Sequence, residues 1–220
     1  MPRPREPGPT GPGIVETVPL PRGPLPLLRP ADPDDLPFDT VPIPAAGPAG
    51  AEELHPPHWA HLWPAGRALA VAVDETHLAG RRVVELGCGL GLPSLVAARA
   101  DATAVLATDR SPAAVAWVEA NARRLGAAVD TATVAFDEPV ALRDGRWDLV
   151  LASDVLYGAA AAGALLELLP RITADDGEVW LTDPGRPEVP AWLDRARERW
   201  TVRTRPLPDG VALHVLHRRS

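Results

Sequence analysis

Residues 83–91, Val-Val-Glu-Leu-Gly-Cys-Gly-Leu-Gly, set a β-branched apolar run before an acid and glycines at alternate positions, with a helix-forming stretch behind them. Glycine is needed where the backbone must take a positive φ or lie against a ligand that a Cβ would strike. Gly87, Gly89 and Gly91 therefore make a candidate ligand-binding turn at the carboxyl end of a strand, where nucleotides bind in open α/β sheets. The nicotinamide and flavin fingerprint spaces its glycines G-x-G-x-x-G; here Leu92 stands where its third glycine belongs and Pro93 follows. A tight βα turn using glycine for packing alone would account for the same residues.

Four further segments add candidate groups. Asp109 ends a second apolar run, Ala104-Val-Leu-Ala-Thr-Asp, about 20 residues past the glycines, where doubly wound nucleotide folds place the acid that binds a ribose. A turn or N-cap aspartate before Ser111-Pro112 is the plainer alternative. Trp147-Asp-Leu-Val-Leu-Ala-Ser-Asp-Val-Leu-Tyr157 delivers Asp154 and Tyr157 to the same carboxyl edge as the glycine turn, unless Asp154 merely caps the next helix. Trp59 and Trp63 bracket a helix start and are placed to wall a cavity, since indoles supply apolar area and a donor. Asp137, in Phe136-Asp-Glu-Pro, follows a third run and is equally a loop residue. His55, His58 and His61 lack a Cys or acid to complete a metal-ligand set, so no metal is expected. Cys88 has no base beside it and reads as structural.

These groups need elements to carry them. Strands are expected near 82–86, 104–108, 130–135, 147–153 and 177–182, and helices near 64–78, 92–100, 112–125, 159–169 and 189–199. Mostly apolar strands alternating with helices imply a parallel sheet covered on both faces. Thr201–Arg205 and Val211–His217 flank Leu-Pro-Asp-Gly, a hairpin signal. Residues 1–13 are Pro/Gly punctuation expected to be disordered. Residues 14–54, with Ile14, Val15, Val18, Leu20, Leu25, Leu27 and Leu28, are expected to be an extended Pro-rich arm packed on a domain spanning 55–220.

Composition narrows the function classes. The chain has 220 residues, one cysteine, no lysine and a formal charge of −7. An acidic chain without a basic cluster is a poor nucleic-acid binder. No apolar run reaches the roughly 18–20 residues of a membrane span, and the N-terminus has no apolar signal region. Single-cysteine usage fits a cytoplasmic protein.

The G-x-G-x-G turn resembles motif I of the class I S-adenosylmethionine-dependent methyltransferases, and a sheet closed by a hairpin resembles their seven-stranded fold. Trp-Pro-x-Gly-x-Ala-Leu, Glu-Leu-Gly-Cys-Gly, Thr-Asp-x-x-Pro, Asp-x-x-Tyr and Asp-Pro-Gly-Arg-Pro, in this order over residues 55–190, are similar to the family of the electron transfer flavoprotein β-subunit lysine methyltransferases and their bacterial relatives. The resemblance implies an α/β, doubly wound, mostly parallel seven-stranded sheet of Rossmann-like methyltransferase type, closed by a C-terminal antiparallel hairpin. It implies S-adenosyl-L-methionine as co-substrate, held by Trp63, Glu85, Gly87, Gly89, Gly91, Asp109 and Asp137, with Glu85 at the methionine end and Asp137 at adenine. Asp154 and Tyr157 match the D-x-x-Y motif and become the catalytic pair at the acceptor. The implied acceptor is a protein lysine, the electron transfer flavoprotein β-subunit being one candidate partner. A small-molecule N- or O-methyltransferase, with residues 14–50 as a lid, and a non-catalytic cofactor binder remain alternatives. The Pro-rich arm and the short terminal hairpin depart from the family's pattern.

Overall fold

The computed structural model describes residues 4–42, 52–139, 142 and 146–219 of the chain. Residues 1–3 of the expected tail and 43–51 of the expected arm lie outside these.

The central sheet is built from β6 (Arg82–Leu86), β7 (Ala104–Asp109), β8 (Asp130–Thr133), β9 (Trp147–Ser153), β10 (Thr173–Asp183), β11 (Trp200–Pro206) and β12 (Ala212–Arg218). Their spatial order is β11-β12-β10-β9-β6-β7-β8. β6 pairs in parallel with β7 and β9, β7 with β8, and β9 with β10, whereas β12 runs antiparallel to both β10 and β11. Chain order reverses between β6 and β9, the switch point at whose carboxyl edge open sheets bind ligands. The expected parallel sheet and closing hairpin are both present; Asp209 and Gly210 take positive φ at the hairpin turn, as a tight connection between twisted strands requires.

Alternation along the strands divides the core in two. Val83, Leu149 and Leu151 point to the side of α1 (Pro64–Asp74), α2 (Leu92–Arg99) and α3 (Pro112–Leu125), while Val84, Val150 and Ala152 point to α4 (Ala159–Ile172) and α5 (Val189–Ala196). Burial on both faces is why these strands read as continuous apolar runs. Each of α1, α2 and α3 begins with Pro at N1 or N2, where a missing N–H costs nothing. Among the described residues no helix is long and apolar enough to cross a membrane.

The N-terminal region corrects the expectation of disorder. β1 (Arg5–Gly8), β2 (Gly11–Val18) and β3 (Leu25–Pro30) form an antiparallel three-stranded sheet. The reason lies on α3. Trp117 packs on Gly8, leaving no room for a Cβ there, and its indole nitrogen donates to Thr10 Oγ1 at 2.9 Å. Asn121, fully buried, accepts from Leu28 N and donates to Leu28 O, both at 2.8 Å, sealing the β3 edge. Pro7, Pro26 and Pro30 are tolerated because β1 and β3 are edge strands. On α1, buried Asp74 accepts from Arg22 N and from Arg99, which also donates to Gly23 O. A further pair, β4 (Asp39–Pro42) with β5 (Glu52–His55), leads into the domain.

Candidate active site

Each glycine of the β6–α2 turn has a positive φ, 64° at Gly87, 51° at Gly89 and 69° at Gly91. At Gly89 a Cβ would lie 3.0 Å from the carbonyl oxygen of Trp59, so the Trp59 backbone packs directly on the turn. At Gly87 it would lie 2.9 Å from Val155 and 3.7 Å from Phe136, the residues after β9 and β8. The glycines therefore allow four neighbouring segments to close on the turn, since Val118 of α3 similarly approaches Gly91.

Two carboxylates support the turn from beneath and beside it. Glu85 Oε2 accepts from Ser94 N at 2.9 Å and Ser94 Oγ at 2.5 Å, tying β6 to α2. Its Oε1 is buried with no hydrogen-bond partner. Burial pushes the carboxyl up to about 8, against the two Ser94 hydrogen bonds. Asp109 accepts from Gly89 N through Oδ2 and from Ser111 N through Oδ1, both at 2.9 Å. Burial raises its pKa, opposed by these two hydrogen bonds, and Asp39 nearby adds to the rise. Each Asp109 oxygen keeps a lone pair for a ligand hydroxyl, and the orphaned Glu85 oxygen lacks a proton donor or cation. Those vacant acceptors suit a nucleoside ligand carrying ribose hydroxyls and an ammonium. Cys88 is free and buried, with its thiol pKa pushed up by burial first and then by Asp109 and Glu85. That is the opposite of an activated thiol.

Asp154 and Tyr157 follow β9 at the same edge. Asp154 takes φ +54° and its N–H donates to Thr182 O of β10. Its carboxylate is forked by Arg186, with Nε to Oδ1 at 2.5 Å and Nη2 to Oδ2 at 3.0 Å. Tyr157 is half-exposed, and its hydroxyl lies within the electrostatic influence of Arg110, next to Asp109. Burial raises the phenol pKa, as does the charge of Asp109, against the influence of Arg110. Thus Tyr157 spans from the β9 end to the β7 end.

The remaining sequence candidates are placed as follows. Trp63 is partly exposed, its indole donates to His58 O at 2.8 Å and its ring faces His58 and His61. Asp137 lies exposed in the turn after β8, where Phe136 is the residue that reaches Gly87. Asp39, which the sequence reading passed over, accepts from Trp59 Nε1 at 2.8 Å and Ser111 Oγ at 3.0 Å, joining arm, turn and α3. Arg186 stands in the Asp-Pro-Gly-Arg-Pro segment that carries part of the family resemblance, which assigns it no partner. Neither pairing has a local signal, because the partners are 72 and 32 positions apart. Among the described residues no three His, Cys, Asp or Glu are grouped to hold a metal ion.

The family model described as lysine methyltransferase matches residues 52–189. The chain belongs to the lysine methyltransferase family. Relatives within or near this family include the electron transfer flavoprotein β-subunit lysine methyltransferase of Danio rerio, 34% identical over 133 residues, covering 59% of this chain and 51% of that protein. Another is the protein N-lysine methyltransferase METTL21A of Danio rerio, 31% identical over 163 residues, 70% of this chain and 74% of that one. The chain spans about half the length of the flavoprotein-subunit methyltransferases it matches. Among solved structures, the ribosomal protein L11 methylase of Lactobacillus delbrueckii subsp. bulgaricus superposes with a TM-score of 0.61 at 19% identity, covering 71% of this chain and 79% of that one. The lysine methyltransferase sheet described above thus has the Rossmann-like methyltransferase fold that the motifs implied.

Proposed function

We propose that this protein is an S-adenosylmethionine-dependent methyltransferase acting on a protein lysine nitrogen. The observation that carries the reading is the convergence of the glycine turn, Asp109 and Asp154 on one sheet edge at the switch point, in a chain of the lysine methyltransferase family. Asp109 would bind the ribose hydroxyls and Glu85 the methionine end, and the glycine turn, Trp63 and Asp137 would complete the cofactor side. S-adenosylmethionine, when bound, supplies a methyl group activated by a sulfonium. The residues of the chain align the acceptor, a matter of holding reacting atoms at near-attack distance in a site with little water.

A lysine amine has an ordinary pKa of about 10.4 and must lose its proton before it can attack. Tyr157 and the Trp59–Trp63 segment provide apolar surface that favours the neutral amine, and Asp154 orients it. Half-exposed Tyr157 favours an acceptor arriving from a protein surface over a small molecule sealed inside. Of the residues 14–50 considered as a lid, Arg22, Gly23 and Leu28 are tied to Asp74, Arg99 and Asn121 on α1, α2 and α3 and Asp39 to Trp59 and Ser111, bonds that lead to the helices and the turn and not to Asp154 or Tyr157, which favours an open acceptor side. The substrate for which those relatives are named makes the electron transfer flavoprotein β-subunit the first partner to test. A cytoplasmic location belongs to the same reading.

The test is incubation with methyl-labelled S-adenosylmethionine and the protein fraction of lysate from its own cell. Label recovered as methyl-lysine supports the reading, and label confined to small metabolites sinks it. Asp109→Asn should weaken S-adenosylmethionine binding about 10-fold or more by calorimetry, the scale of charge-assisted hydrogen bonds. Unchanged affinity would remove Asp109 from the site.

A further inference from the structure

Arg186 is the group that Asp154 holds in this structure, and the reading of Asp154 as acceptor-orienting leaves it without a role. The two contacts at 2.5 and 3.0 Å present the planar fork of the guanidinium to both carboxylate oxygens, a geometry an ammonium cannot reproduce. Both sides of the pair are built for it. Asp154 adopts a left-handed backbone, φ +54°, which is uncommon outside glycine. Opposite, Asp183 ends β10 almost fully buried, and its Oδ1 accepts from Gly185 N at 2.6 Å and Arg186 N at 2.7 Å. Gly185, at φ +89°, turns the chain so that Arg186 returns to the sheet edge. The Asp154 side chain is only 10% exposed and that of Arg186 35%, so the carboxylate is enclosed in the site while the guanidinium reaches it from the rim.

The charged and titratable surroundings are limited. Arg186 faces Asp154, Asp183 and Glu188. On the other side Asp154 faces Tyr157, with Arg110 and Asp109 beyond. His214 of β12 stands behind Asp183, buried and hydrogen-bonded to Thr204.

Resting on the lysine reading above, we propose that Arg186 is the positioning residue of the acceptor site: it aims Asp154 and cancels its charge, so that the site accepts a neutral amine rather than an ammonium. A lone carboxylate beside a lysine nitrogen stabilises the protonated form, and a protonated nitrogen has no lone pair with which to attack. Forked by Arg186, the carboxylate acts as a nearly neutral acceptor. A carboxylate offers about four lone-pair positions, so two remain to take the amine N–H groups. The amine lone pair then forms the N–C bond as the C–S bond breaks, its electron pair staying on sulfur. The proton shed by the product ammonium passes to bulk water.

The experiment compares wild type, Arg186→Lys and Arg186→Gln for methyl-lysine formation on the protein fraction of its own cell's lysate, as a function of pH. S-adenosylmethionine affinity by calorimetry, expected to stay within about twofold, reports on folding of each variant. Arg186→Gln should move the acidic limb of kcat, which reports the bound amine, upward by about one pH unit or more, the size of a close-charge effect. Arg186→Lys keeps the charge and should keep the wild-type limb, with kcat lowered about tenfold for the lost fork. Coincident limbs for wild type and Arg186→Gln overturn the inference, whatever the loss of rate. If Arg186→Gln fails to fold, a displaced limb in Arg186→Lys overturns it and an unmoved one supports it. No methyl-lysine from the wild type overturns the lysine reading and this inference together, whereas methyl-lysine with coincident limbs overturns the inference alone.

Discussion

Glu85 shows how one side chain links folding to ligand binding. Its carboxyl is held at about 8, against an ordinary 4.5. Between those values the folded chain keeps a proton that the unfolded chain has lost, so the ligand-free protein loses stability as pH rises from about 4.5 to 8. Asp109, also raised, contributes with the same sign above its ordinary 3.8. Glu85→Gln should remove most of this slope and stabilise the ligand-free protein at pH 8 by roughly 2–4 kcal/mol, read from urea midpoints at pH 5 and pH 8. An unchanged slope would show that Glu85 is not the group responsible. Glu16 works in the opposite direction. Salt-bridged by Arg29 and Arg67, its pKa is lowered although burial works against the shift, and the stability it contributes is present above 4.5 and lost as pH falls through its folded value. At this scale the sequence made the candidate acids and glycines legible by type and spacing. It did not reveal that Asp154 is paired with Arg186, because that contact depends on the β9 and β10 ends lying side by side.

At the scale of elements, α3 is a bridge between two sheets. One face buries Val118 against the glycine turn and the other carries Trp117 and Asn121 to the N-terminal sheet. Ser111 caps it, its side chain accepting from Ala114 N. Asn121→Ala would leave the N–H and C=O of Leu28 without partners in a buried position. The expected cost is about 2–4 kcal/mol, visible as a lower denaturant midpoint with cooperativity retained; a change under about 0.5 kcal/mol would mean that water replaces the amide. The helices and parallel strands were readable because their apolar periods and proline starts are local properties. Helix ends were less so: α1 stops at Asp74 and not near residue 78, where Leu78 N donates instead to Ala100 O beyond α2. Likewise α4 continues to Ile172 through Pro170, beyond the expected end near residue 169.

For the molecule as a whole, the N-terminal sheet and the domain share one core. Val18, Leu20, Leu25, Leu27 and Leu28 belong to the same buried cluster as Leu69, Val96, Trp117 and Leu151. A shared core predicts a single unfolding transition. Leu27→Ala, at a fully buried position, should cost about 2–5 kcal/mol and lower Tm by on the order of 10 °C. Circular dichroism and tryptophan fluorescence should move together. Two separate transitions would show instead that the N-terminal sheet melts by itself. Asp39 extends the same coupling to the candidate site, since it holds Trp59 and Ser111 together over the turn.

Sequence alone determined the doubly wound sheet, its closing hairpin and the identity of the turn at its edge, because period, glycine spacing and proline placement act over a few neighbouring residues. Tertiary structure decided the order of the N-terminal strands, the clasp of Asp39 on Trp59 and Ser111, and the fork of Arg186 on Asp154. Each of those depends on buried partners far apart along the chain. Their strength comes from exclusion of water, and that arises only once the layers have packed.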